Sequence, residues 1–247
     1  MKNRLSLIIL GFLLTTPCLL FSADGVEKHT IDFSESTNLK AVYDAGLRPW
    51  RIRPDEISTL TITNEHVSVI APNGNAFTMS VQIGRFTVIA EHQLVSAGFN
   101  SPLMSLSEAT AKVREICQAL EIDTAQGAGM GSLVEKVEQL TTMGNQTPSP
   151  QYWNGRRERG ADGARYSVSL QAMFGFTETW GRVLVHLDFH EPGQPMNLST
   201  EPLTPPPGYE HMSTERPETD PTEPFPDPAY SLDAMRERME EREGPEN

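Results

Sequence analysis

The chain is short of cysteine: Cys18 and Cys117 are the only two in 247 residues. Cys18 lies in an N-terminal segment expected to be removed, so Cys117 stands alone and no intramolecular disulfide can form in what remains. A domain without such a staple relies on its apolar core, and residues 26–190 are enough chain to bury one. A lipoprotein role for Cys18 is not expected, because Pro17 precedes it and Leu19, Leu20 and Phe21 follow. Basic residues are scarce too. Lys and Arg total 20 against 33 Asp and Glu, a net charge of −13. The imbalance sits mainly in 191–247, which holds 14 acids and 4 bases. Non-specific nucleic-acid binding needs a basic face and is excluded on this composition.

Several catalytic signatures are also missing. Gly127-Ala128-Gly129-Met130-Gly131 invites a phosphate-loop reading, but no strand precedes it and no P-loop lysine accompanies it. A dinucleotide fingerprint requires that strand, so the stretch reads as a connection between two helices. Cys117 falls on the apolar stripe of a helix, which predicts a buried, inert thiol rather than a nucleophile. No nucleophile–base set or zinc-helix signature appears.

One long apolar run is present. Lys2 and Arg4 precede Leu5–Phe21, and Ala23-Asp24-Gly25 supplies small residues. This pattern predicts a secretory signal over 1–25 with cleavage before Val26, an uncleaved N-terminal anchor being the alternative. The chain is therefore expected to be exported, periplasmic or secreted, and to meet a membrane only through that segment.

Between 26 and 190 the pattern predicts one folded domain. Thr30–Phe33 reads as an edge strand, and 38–45 as a short helix closed by Gly46. Trp50–Arg53 is expected to run extended between prolines. From Thr59 to 91 apolar residues alternate, with changes of parity at Asn64-Glu65 and Gly84-Arg85 and a turn signal at Pro72–Asn75. Placing a turn at each of these points gives a four-stranded meander, with Ile62 beside Val67 and Ile83 opposite Phe86. Two helices follow. Ser105 and Glu108 form a capping box before 109–121, and Ser132 with Glu135 opens a second helix that Gly144 stops. Pro148–Gly163 reads as a polar connection carrying Arg156, Arg157 and Arg159, a solvated loop rather than an anion site.

The strongest pattern is Ala164–Glu191. Tyr166, Val168, Leu170, Ala172 and Phe174 share one face of a first strand, and Val183, Val185, Leu187 and Phe189 share one face of a second. Opposite parity requires paired residues to sum to an odd number. A turn at Glu178-Thr179 then sets Phe174 opposite Val183 and His186 opposite Gln171. The wet face of the second strand carries His186, Asp188 and His190. Two imidazoles and a carboxylate on one face suit Zn²⁺ or Fe²⁺ if another strand supplies a further donor, for which Glu91 and His92 are the candidates. Polar residues are also what any half-buried strand shows to water.

Beyond 190 the composition changes. Twelve of 19 prolines lie in 192–247, and such a segment is expected to be a disordered acidic tail over 191–247. Leu232, Met235 and Met239 fall on one helical face, which marks 229–243 as either a short docking helix or a charged, fraying end. Pro206-Pro207-Gly208-Tyr209 matches a proline-rich ligand pattern. The fold expected is α+β, a two-layer sandwich in which a mainly antiparallel sheet of about six strands is covered by two helices. The function expected is a non-enzymatic exported binding or assembly module, needing no cofactor and meeting a protein partner through a sheet edge or the acidic tail. The alternative is a metal-binding protein or metal-dependent hydrolase using His186, Asp188 and His190.

Overall fold

Local signals decide the helices, and tertiary geometry decides how the strands join. The computed structural model describes residues 29–51, 58–89, 92–125, 131–143, 151–158, 166–174, 181–190, 198 and 202–215. Among them the chain forms β1 (His29–Asp32), α1 (Lys40–Asp44), β2 (Thr59–Ile70), β3 (Ala76–Val88), β4 (Leu94–Asn100), α2 (Leu106–Leu120), α3 (Leu133–Met143), β5 (Gln151–Arg157), β6 (Ser167–Phe174) and β7 (Gly181–Asp188). The fold is α+β. One mixed sheet of seven strands runs in the order β1-β2-β3-β4-β7-β6-β5, and only β1 and β2 pair in parallel. The expected signal over 1–25, the turn at Glu178-Thr179, Gly127–Met130 and the helix at 229–243 lie outside the described residues.

The meander is corrected. β2 and β3 are one long hairpin closed by the turn at 72–75, and their register is unbroken from Thr59↔Thr87 to Ile70↔Ala76. The two changes of parity are real but are not turns. Leu60 and Ile62 are buried before Asn64, and Val67 and Val69 after it; across the ladder Phe77, Met79 and Val81 give way to Phe86 and Val88. Asn64 adopts φ +53°, a left-handed conformation that asparagine tolerates, so β2 changes face without leaving the ladder. Gly84 faces Ile62, and a Cβ on it would stand 2.7 Å from the Ile62 side chain.

Two strands escape the periodic pattern. β4 pairs with β3 through a register shift at Thr87/Val88, so both Leu94 and Ala97 are buried despite opposite parity. β5 replaces the expected polar connection. Its inward positions are Trp153, Gly155 and Arg157, and the glycine and arginine hide the alternation. Gly155 is required there, because the Trp153 ring and Ile122 fold over it and a Cβ would stand 2.5 Å from the indole.

The hairpin of β6 and β7 keeps its predicted parity but is displaced by two residues. Phe174 faces Gly181, and Val183 faces Ala172. The reason is volume: a Cβ on Gly181 would lie 2.7 Å from Ala109 of α2 and 3.3 Å from the Phe174 ring. Only glycine fits between them.

α2 starts as expected. Ser105 accepts from the Glu108 N–H, and the Glu108 side chain accepts from the Ser105 N–H. Ala109, Val113, Ile116, Cys117 and Leu120 are buried, and the helix packs against β3, β6 and β7. Phe33 after β1 and Phe189 after β7 have ring centroids 5.2 Å apart. Four strand spacings would separate those strands by about 19 Å in a flat sheet, so the sheet is strongly curled. Leu39 N–H to His92 O (2.8 Å) and Leu94 N–H to Thr37 O (2.9 Å) hold the curl together.

The tail also departs from expectation. Within 192–228, residues 202–215 pack on the domain: Leu203 and Thr214 are buried, and Tyr209 and Met212 pack against the core. These apolar and aromatic anchors stabilise the docked stretch, and proline lowers the entropy lost on ordering it.

Candidate functional site

The row on β7 lies where parity placed it. Val183, Val185 and Leu187 are buried, while His186 is exposed and Asp188 and His190 are half-buried. The neighbouring strands give it little to work with. His186 stands between Gly98 and Ser169, and Asp188 between Ser96 and Ser167. A Cβ on Gly98 would lie 3.5 Å from His186 Nδ1, so the imidazole leans over the one position without a side chain. Asp188 Oδ1 accepts from the His190 N–H at 3.0 Å, a local turn at the strand end. His92 bonds through Nε2 to the Thr204 carbonyl at 3.1 Å; Glu91 lies outside the described residues. Among the described residues no group of three His, Cys, Asp or Glu is close enough to hold a metal ion.

Other sequence candidates are likewise placed. Burial pushes the Cys117 thiol up to about 12, in keeping with its place on the buried stripe of α2. The arginines do not form a patch. Arg156 is exposed and pairs with Glu158, whereas Arg157 points inward, is about 10% exposed and meets Glu121 at 2.8 Å. Arg159 lies outside the described residues.

A concavity among the described residues lies elsewhere, in a region where the sequence offered no constellation. A cleft of about 870 Å³ lies between β1, α1 and the segment 202–215. β1 builds one side by alternation: Ile31 and Phe33 go into the core, and Thr30 and Asp32 face the cleft. Asp32 Oδ1 accepts from the Ser34 N–H (2.8 Å) and hydroxyl (2.6 Å), which leaves Oδ2 open. Glu35 is exposed at the rim. α1 contributes Lys40 and Asp44, whose ammonium–carboxylate contact is 2.6 Å. Pro206 and Pro207 form the facing wall.

That wall explains the Pro-Pro-Gly-Tyr pattern. The Tyr209 N–H bonds to the Pro206 carbonyl at 3.0 Å, and Gly208 has φ +93°. Proline second and left-handed glycine third make a type II turn. The pattern is therefore a rigid corner that aims Tyr209 at α1, not an extended peptide offered to a partner. The Tyr209 ring lies 5.2 Å from that of Tyr43, its hydroxyl donates to Asp44, and the Lys40 ammonium stands 5.7 Å from its centroid. Hydrogen bonds from Lys40 and then Tyr209 hold the Asp44 carboxyl below the usual range. The bond to Asp44 raises both Lys40 and Tyr209. Asp32, Glu35 and Asp44 face a single ammonium, so the cleft is negative on balance. The signals that were missed are Leu203, Tyr209 and Met212, spaced along a stretch otherwise too polar to suggest docking.

No helix among the described residues is long and apolar enough to cross a membrane. Compared with protein-family models, with curated proteins and with solved structures, the chain matches none.

Proposed function

We propose that this chain is an exported, non-enzymatic binding module and that the cleft between β1, α1 and residues 202–215 receives its ligand. The observation that carries the reading is the cleft itself, about 870 Å³ and edged by Asp32, Glu35 and Asp44 with only Lys40 in opposition. A cavity of that size matches small-ligand sites. The carboxylate excess favours a ligand bearing amines or guanidinium groups. Asp32 Oδ2 and Glu35 accept such donors without breaking the Lys40–Asp44 pair. Helices laid against a sheet as a two-layer α+β unit supply a rigid support for the site. Export rests on Lys2, Arg4 and the apolar run to Phe21.

The test is titration calorimetry with spermine as a cationic probe. Wild type is expected to bind it with an affinity that falls as salt rises. The Asp32→Asn/Glu35→Gln double variant is expected to lose roughly fivefold or more. Absence of binding to wild type, or equal binding to both, overturns the proposal.

A further inference from the structure

We propose that residues 203–214 are a lid on the cleft, hinged where their two ends are tied together and latched by Tyr209 onto Asp44 and Lys40. This rests on the cleft being the ligand site and adds how access to it is controlled. The ends of the segment meet: the Thr214 hydroxyl donates to the Leu203 carbonyl at 2.8 Å. Both ends are anchored to the body of the protein. Leu203 and Thr214 are each about 7% exposed, and the Arg51 N–H donates to the Thr214 carbonyl at 2.8 Å. A surface loop whose ends are close and whose middle packs by its own side chains is an Ω-loop, a compact form that is frequently functional.

The middle of the loop is held differently from its ends. Its amide bonds are internal, Tyr209 N–H to Pro206 O and Met212 N–H to Tyr209 O at 2.8 Å, and its other ties to the body are the Met212 side chain packed on the core and the His92 Nε2 bond to the Thr204 carbonyl. Its grip on α1 passes through Tyr209. That grip is surface chemistry: the side chains of Lys40 and Asp44 are 54% and 49% exposed. Pro206 and Pro207 form the cleft wall, so releasing Tyr209 swings that wall away and widens the entrance. The two α1 residues that Tyr209 grips, Lys40 and Asp44, also line the cleft. A cationic ligand reaching Asp44 competes with the Tyr209 hydroxyl for that carboxylate, so ligand entry and lid opening are linked.

Hydrogen exchange of the full chain, followed amide by amide, tests this. Amides of 204–213 that have bonds, Tyr209 and Met212 above all, are expected to exchange together and faster than those of β6 and β7. Tyr209→Phe keeps the ring but removes the latch hydroxyl. It is expected to speed lid exchange roughly fivefold, the equilibrium effect of about one net hydrogen bond, and to leave β6 and β7 unchanged. Lid amides that exchange only with the β6–β7 core, or that ignore Tyr209→Phe, overturn the lid. With spermine present, lid exchange is expected to change; binding without any change overturns the link between lid and ligand. Failure of spermine to bind counts against the cleft reading alone, and exchange without ligand still decides whether the lid exists.

Discussion

Single residues carry much of what distinguishes this fold from the pattern in its sequence. Glycines at 84, 155 and 181 each stand where a neighbour's side chain occupies the Cβ position, with Ile62, Trp153 and Ala109 as the neighbours. Composition shows that a chain has glycines, but not which of them face a ring or a helix. Cys117 is the opposite case, because its helical position alone marks it as buried. Its thiol is held protonated up to about 12 by burial, against about 8.5 for an open chain. The reactive species is the thiolate. At pH 8 the unfolded chain therefore holds a reactive fraction and the folded chain almost none. Iodoacetamide at pH 8 is expected to leave the Cys117 peptide unmodified in the native protein and to modify it in urea. Mass spectrometry of that peptide reads both, and rapid native labelling would show the thiol to be open to solvent.

Elements were legible in proportion to how local their signals are. α2 was readable because Ser105, Glu108 and a helical stripe lie within 16 residues of one another. The turn at 72–75 and the burial parity of β6 and β7 were readable for the same reason. The sequence pattern divides β2 and β3 into four strands because a change of parity ordinarily means a turn. Here both strands change face at one level, and the pairing that shows this joins residues up to 28 apart. β4 was hidden by its bulge and β5 by glycine and arginine at inward positions. The cleft was illegible because it needs β1, α1 and a segment about 160 residues later. The face change depends on Asn64 at φ +53°. Asn64→Gly is expected to be neutral or slightly stabilising. Asn64→Val places a β-branched residue in a left-handed conformation and should cost about 1–3 kcal/mol. Urea unfolding of both variants checks this; equal midpoints for Val and wild type would mean that β2 changes face by another route.

At the scale of the whole molecule, residues 202–215 lie within the segment expected to be a tail and pack on the domain. Residues 202–215 belong energetically to the domain, since Leu203 is buried against the core and Tyr209 stacks on Tyr43. Composition does not reveal this docking because proline and glutamate dominate the count, whereas docking depends on the few residues that are neither. Two truncations separate the parts. A chain ending at 197 loses the lid, uncovers the aromatic face of Tyr43 and leaves the Arg51 N–H without the Thr214 carbonyl. Burial of one leucine and part of one tyrosine is worth about 2–4 kcal/mol. In a domain of this size each kcal/mol moves the melting point by about 2–4 °C, so a fall of roughly 4–16 °C is expected. A chain ending at 215 keeps every one of these contacts and serves as the reference. Scanning calorimetry on the two truncated chains beside the full one measures the difference. Equal melting points for the chains ending at 197 and 215 would show that the lid adds nothing to folding. The stretch would then belong to the tail, and the Tyr209 contacts would be left with a role in access to the cleft alone.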